Sequence, residues 1–287
     1  VKRRTFLAAL LATAGCTGSP PTATTLAAGE RGGLYFDFAT LLNRLLPDVR
    51  PKETAGSLAN LDLLRSGGAD LALALADSVP GEDDLCALGR VYENYLQLLV
   101  RTDDPARTPA DLAGRPVSLG ASGSGASLSG RRLLAVLGVE VRERHLRLGE
   151  AADALVAGEV DALLWSGGVP TPRLAGLAAV RLLPLGDVVP ALRAAHGMVY
   201  DRVTVPAGVY GAGGEVPTIG VANLVVCRRS LPGATVTTVV RTLLTRAASL
   251  VPEQTLGTQF LDARSLITTT PLPLHPDAAA AYRDFHG

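Results

Sequence analysis

Two apolar spacings alternate along this chain, and the alternation is repeated. Thr24–Ala28 has the short, unbroken apolar character of a buried strand. Gly29-Glu30-Arg31-Gly32-Gly33 interrupts it. Leu34, Phe38, Leu41, Leu42 and Leu45 then recur at helical spacing, which predicts a helix over 35–46. Val49 opens a second strand. Ser57 opens a helix through Leu58, Leu61 and Leu64 that Gly67 stops, and Asp70 leads the alternating strand Leu71-Ala72-Leu73-Ala74-Leu75. The construction then returns. Residues 116–119 read as strand, 120–125 as a Gly/Ser turn, and 128–137 as a helix stopped by Gly138, with Val139 starting the next strand. A helix around 151–157 stops at Gly158, and Asp161 leads the strand Ala162-Leu163-Leu164-Trp165.

The offsets agree between the two halves. Gly33 lies 16 residues before Val49 and Gly125 lies 16 before Val141; Gly33 lies 37 before Asp70 and Gly125 lies 36 before Asp161. Strand–helix alternation of this kind predicts an α/β fold with two mostly parallel sheets covered on both faces. Two apolar segments, 95–100 and 217–226, are placed to carry the chain between the halves. They predict two lobes on a double-stranded hinge: 24–102 with 217–287 as the first lobe, 103–216 as the second. Hinge closure around a ligand is an established behaviour of such an arrangement.

The chain has 287 residues, 47% apolar and 19% charged, enough for a two-lobed globular core. Lys+Arg and Asp+Glu are both 27, a balance that argues against a nucleic-acid binder. Residues 1–16 read as a signal peptide: Lys2-Arg3-Arg4, then a short apolar run, then Ala14-Gly15-Cys16. Arg3-Arg4-Thr5-Phe6-Leu7 resembles a twin-arginine export signal, and Cys16 stands where a bacterial lipobox places its acylated cysteine. Residues 17–23 read as a flexible tether, so the expected location is extracytoplasmic, lipid-anchored to the cell membrane. Cys86 and Cys227 lie in apolar runs and read as buried free thiols, with a disulfide as the alternative.

Gly-rich turns feeding helix N-termini suit anions, because first-turn N–H groups are free and carry partial positive charge. Gly32 and Gly33 form one such cradle and Ser122, Ser124, Gly125 and Ser127 a second. Ser57 opens a third helix. Tyr35 stands at the mouth of the first cradle, and Trp165, followed by Gly167 and Gly168, ends a strand. Each aromatic reads either as a ligand wall or as packing under its loop. Arg31 reads either as a charge clamp or as a solvated side chain. The second turn fails the dinucleotide pattern, since Leu128 occupies the third glycine position. Catalytic motifs are missing, the four histidines are scattered, and Asp70 and Asp161 read as turn caps. No catalytic residue, cofactor or metal is expected.

These residues resemble a known family. Gly32-Gly33-Leu34-Tyr35-Phe36, Thr54-Ala55-Gly56-Ser57-Leu58-Ala59-Asn60 and the 120–125 turn follow the order of motifs in TAXI solute receptors. So do Trp165-Ser166-Gly167-Gly168-Val169-Pro170-Thr171-Pro172, Val205-Pro206-Ala207-Gly208-Val209-Tyr210 and Leu274-His275-Pro276. TAXI proteins are the extracytoplasmic receptors of one class of tripartite ATP-independent (TRAP) transporter. The resemblance implies a type II periplasmic-binding fold, a small carboxylate ligand (an organic acid or a glutamate-like amino acid) and delivery to a sodium-coupled TRAP permease. The family usually has a small hydroxylated residue at Glu30-Arg31, Thr at Leu34 and Ala126, and often Gln-Ser-Asp at Ala76-Asp77-Ser78. Two other functions fit the pattern less fully: a ligand-sensing lipoprotein for a signalling kinase, and an extracytoplasmic serine-type hydrolase.

Overall fold

The computed structural model describes residues 23–81, 84–252, 261 and 264–286. The expected signal segment with Cys16, and the tether up to residue 22, lie outside the described residues. The chain runs β1 (Thr24–Ala28), α1 (Leu34–Leu45), β2 (Val49–Glu53), α2 (Ser57–Arg65), β3 (Leu71–Leu75) and β4 (Leu85–Arg101). It continues through β5 (Pro116–Ser118), α3 (Gly125–Leu137), β6 (Arg142–Arg144), α4 (Leu148–Ala157) and β7 (Ala162–Gly167). Then come α5 (Pro172–Ala175), β8 (Val180–Leu183), α6 (Val189–His196), β9 (Tyr200–Val205), β10 (Val216–Arg228), α7 (Gly233–Thr245) and α8 (Pro276–His286).

Most expected elements are present, and the shifts have local causes. Helix α3 begins three residues before its apolar spacing does, because Ser124 caps it: its Oγ accepts from Ser127 N at 3.1 Å. At the other end Gly138 adopts φ 65°, and Val139 N donates back to Leu134 O at 3.0 Å. Val139 therefore closes the helix, and β6 starts only at Arg142. The first crossing strand is much longer than the 95–100 segment expected. β4 has 17 residues and β10 has 13, and they pair antiparallel from Cys227↔Cys86 to Ile219↔Leu96.

Those two strands carry the topology. On one side of the molecule β2, β1 and β3 pair in parallel, and β3 pairs with β10. On the other side β4 pairs with β7, which continues in parallel to β5 and β6, while β8 and β9 flank β4 and β10. The two expected sheets share β4 and β10, so the hydrogen-bonded order β2-β1-β3-β10-β4-β7-β5-β6 is continuous. Each side has its own apolar core: Phe38, Leu42, Tyr92 and Leu243 in one, Leu98, Leu133, Leu164 and Tyr200 in the other. Cys86 and Cys227 are free and buried.

Both turn aspartates hold strands in place. Asp70 Oδ2 accepts from Thr25 N at 2.8 Å, tying the start of β3 to β1. Asp161, expected as a turn cap, accepts instead from Arg115 Nε at 3.0 Å and Arg101 Nη2 at 3.4 Å. Arg115 also grips Asp104 with both terminal nitrogens, at 3.1 and 2.5 Å, so one guanidinium fastens the loop after β4 to the junction of β5 and β7.

The Asp104 side chain is 2% exposed, and hydrogen bonds from Arg115 hold its carboxyl below the usual carboxylate range. Asp104→Asn should cost about 1–2 kcal/mol at neutral pH, because it leaves one face of the half-buried Arg115 guanidinium, which keeps Asp161, without its carboxylate. The folded carboxyl has the lowered value, so its contribution is complete above the unfolded value of about 3.9 and is lost as pH falls through the folded one. Urea unfolding at successive pH values should therefore show the wild-type and variant curves converging in acid.

Candidate functional site

Three helices point their N-termini at one cleft. α1 starts after a tight turn in which Gly33 N donates to Glu30 O at 3.1 Å. α2 starts at Gly56, whose φ of 129° is a conformation side-chain-bearing residues avoid. α3 starts at the Ser124 cap. The first N–H groups of each helix have no acceptor within their own helix, and their partial positive charge faces the cleft. Glycine permits the close approach of α2 to α3. A Cβ on Gly56 would lie 3.2 Å from Ser124 Cα, and one on Gly125 would lie 2.6 Å from both Ser57 Oγ and Leu75 Cδ1. Ala59 N donates to Gly123 O at 3.0 Å, so the two helix starts are bonded across the cleft.

The space between them is narrow, with a cavity volume of about 40 Å³. Leu34, Leu75, Ala126 and Trp165 give it apolar walls. Polar groups enter at a few points. Ser57 Oγ accepts from Leu75 N at 3.1 Å and lies 3.1 Å from Tyr35 Oη. The Ser57–Tyr35 pair holds two hydroxyl protons and uses one between them, which leaves one O–H to donate. Asn94 Nδ2 donates to the carbonyl oxygen of Ser166 at 3.3 Å, which fixes the amide orientation, and its Oδ1 is buried without a partner. Glu30 Oε2 accepts from Leu148 N at 3.0 Å and lies 3.6 Å from Arg147 Nε, while its Oε1 is buried without a partner. Burial pushes the Glu30 carboxyl up, against the pull of Leu148 N–H and Arg147.

Trp165 is positioned from behind by a closed set of hydrogen bonds. Its Nε1 donates to Thr171 Oγ1 at 3.0 Å, and Thr171 N donates to Tyr210 Oη at 2.6 Å. Tyr210 in turn donates to Gln97 Oε1 at 2.6 Å, and Gln97 Nε2 reaches Gly168 O at 3.1 Å. This accounts for Trp165, Gly168 and Thr171 falling so close together in sequence, and for a buried Gln in the crossing strand β4.

Other bonds join the halves around the cleft. Arg147 Nη2 donates to Glu53 Oε1 at 2.8 Å. Asp77, buried after β3, accepts from Ser129 Oγ of α3 at 2.6 Å and from Tyr200 Oη of β9 at 3.1 Å.

Of the residues expected at the site, Gly33, Tyr35, Ser57, Ser124, Gly125 and Trp165 line this cleft together. Gly32 and Gly168 line a smaller pocket beside it, with Pro170 and Pro172. Ser127 is buried and its N–H is taken by Ser124, Ser122 is exposed, and Gly167 lies against the Trp165 indole. Arg31 turns outward: its side chain is 71% exposed, it pairs with Glu53 at 2.9 Å and it stacks over Phe36. Glu30, Asn94 and Ser166 were not among the expected site residues. The signal for Asn94 was present, since Glu93-Asn94 is a polar pair set between the apolar Val91-Tyr92 and Tyr95-Leu96.

A family model described as the NMT1-like family matches residues 26–285. The chain belongs to the NMT1-like family. Among solved structures, this family member is similar to a protein from Bordetella bronchiseptica RB50, with 16% identity over 93% of this chain and 98% of that one, and a TM-score of 0.59. It is similar to MatC from Rhodopseudomonas palustris, solved with bound malate, with 16% identity, 93% and 97% coverage and a TM-score of 0.57. The ligand-binding core of GluR0 from Nostoc punctiforme, solved in complex with L-glutamate, matches with 15% identity, 79% and 95% coverage and a TM-score of 0.50. The fold is the α/β, type II periplasmic-binding arrangement. Among the described residues no helix is long and apolar enough to cross a membrane, and no group of three or more His, Cys, Asp or Glu is gathered where it could hold a metal ion.

Gly125→Ala tests whether the close contact of α2 and α3 is what closes the cleft. The added methyl group would overlap Ser57 and Leu75 only when the halves are together. Small-angle scattering should show a larger radius of gyration than wild type, with a cost to folding of no more than about 1–3 kcal/mol.

Proposed function

We propose that this protein is an extracytoplasmic receptor that closes two lobes on a small carboxylate and delivers it to a TRAP-type permease. Residues 24–102 and 217–287 form one lobe, and 103–216 the other. The observation that carries this reading is the meeting of the α2 and α3 N-termini, one from each half, across a narrow cleft. A carboxylate bound there takes backbone N–H groups from both halves at once, so binding and closure become one event. Ser57 with Tyr35 adds a hydroxyl donor, and Trp165 walls the space. The fold shared with the malate-bound MatC and the glutamate-bound GluR0 core supports a small organic acid or amino acid as ligand.

The TRAP partner is supported by the resemblance of the glycine, serine and tryptophan segments to TAXI receptors. The Arg3-Arg4 signal supports export, and the lipobox-like Ala14-Gly15-Cys16 supports a lipid anchor at Cys16. A hydrolase is disfavoured by the cleft itself. No His or Lys lines it beside Ser57 or Ser124, and its one carboxyl group, on Glu30, is engaged by Leu148 and Arg147.

A thermal-shift screen of the purified protein against organic acids and amino acids tests the proposal. A ligand at about 1,000 times its Kd adds roughly 4 kcal/mol, worth about 8 °C or more at this chain length. One or more acids should reach that shift and be recovered unchanged. Conversion of the acid would overturn the receptor reading, as would the lack of any shift across the screen.

A further inference from the structure

The cleft described above is supplied unevenly with donors and acceptors, and the imbalance identifies the second group on its ligand. Donors come from the first turns of α2 and α3, apart from Ala59 N and Ser127 N, which Gly123 O and Ser124 Oγ take, and from one hydroxyl proton of the Ser57–Tyr35 pair. That supply matches a carboxylate. Elsewhere the supply is of acceptors. Asn94 Oδ1 and Glu30 Oε1 both belong to cleft-lining residues, both are buried, and neither has a partner. Asn94 is 3% exposed and Glu30 is 7% exposed, so bulk water does not satisfy them. An orphaned buried acceptor is costly, and more so when it belongs to an ionisable group. The Asn94 amide is held by its donation to Ser166, and the Glu30 carboxyl by Leu148 N.

A ligand carrying only carboxylates makes this worse. No Lys, Arg or His side chain lines the cleft, so a second carboxylate meets only the partial charge of the α1 start there, beside the Glu30 carboxyl. Arg31, the nearest basic residue in sequence, is spent on Glu53. A hydroxyl offers one proton for two acceptors. An ammonium offers three, and its charge complements that of Glu30. Most of the remaining wall is apolar, through Leu34, Leu75, Ala126 and Trp165, and holds no charged side chain, and the space is small.

Resting on the receptor reading, we propose that the ligand is a small zwitterionic amino acid with an uncharged side chain. Its carboxylate sits on the N-termini of α2 and α3, and its ammonium on Glu30 and Asn94. This narrows the ligand class in a definite direction: glutamate and the dicarboxylates fall outside it.

Matched acids test this without any variant. The purified protein, stripped of bound solute by dialysis in mild urea, is titrated calorimetrically with L-alanine, L-serine and L-valine. Propionate and lactate follow as the same skeletons without the amine, then L-glutamate and malate. At least one neutral amino acid should bind, and at least about tenfold more tightly than any acid lacking the amine. Glu30→Gln, which keeps the side-chain shape, should shrink that preference by about tenfold, with the unliganded melting temperature confirming that the variant is folded. If malate, glutamate or lactate binds and the neutral amino acids do not, the inference falls and the receptor reading stands. If no acid binds, with or without an amine, both fall. A Glu30→Gln protein that is folded and retains the full preference removes the ammonium from Glu30 and overturns the assignment.

Discussion

Two antiparallel strands, β4 and β10, belong to both halves of the molecule, and almost everything else follows from that sharing. Because β3 pairs with β10 on one side and β7 with β4 on the other, the halves cannot be arranged independently. The parallel units on each side end their strands toward the same gap, which is where helices in α/β sheets begin. The helix starts at Gly33, Gly56 and Ser124 are therefore brought to one place by connectivity, and glycine at 56 and 125 then lets backbones approach to contact distance. Gln97 and Asn94 both come from β4, so the shared strand also positions the tryptophan loop and supplies one of the cleft's polar groups.

The electrostatics of the cleft are unusual in their source. Its positive potential comes from aligned peptide groups rather than from basic side chains, and its one carboxyl-bearing lining residue is Glu30. Backbone charge of this kind is fixed in direction and requires no ordering of a long side chain on binding. Arg31 and Arg147 instead pair with carboxylates, Arg31 with Glu53 and Arg147 with Glu53 and one oxygen of Glu30, and so tie surface segments together.

Much of the architecture was legible because it depends on periodicity. The strand–turn–helix order, the repeat with its matched offsets and the two crossings all follow from where apolar residues fall and where glycine interrupts them. What was not legible depends on pairing across the chain. Asp161 has the same position in its repeat as Asp70, yet it answers to Arg115 and Arg101, because only the folded sheet brings those arginines beside it. Arg31 and Glu30 are neighbours in sequence and face opposite ways, one outward and one into the cleft, which no spacing rule distinguishes. Ser122 and Ser127 shared a Ser/Gly turn with Ser124, but the geometry of a helix cap admits only one of the three to the cleft.

The bonds that hold the halves together without any ligand have a kinetic meaning. Ala59 to Gly123, Leu148 to Glu30, Arg147 to Glu53 and Ser129 to Asp77 must all part before the cleft can open. They contribute equally to a full and an empty closed form, so they do little for discrimination between solutes. Their effect falls on the opening rate, and so on the residence time of whatever is inside. The cleft is therefore latched at its rim by contacts that lie outside the space they close.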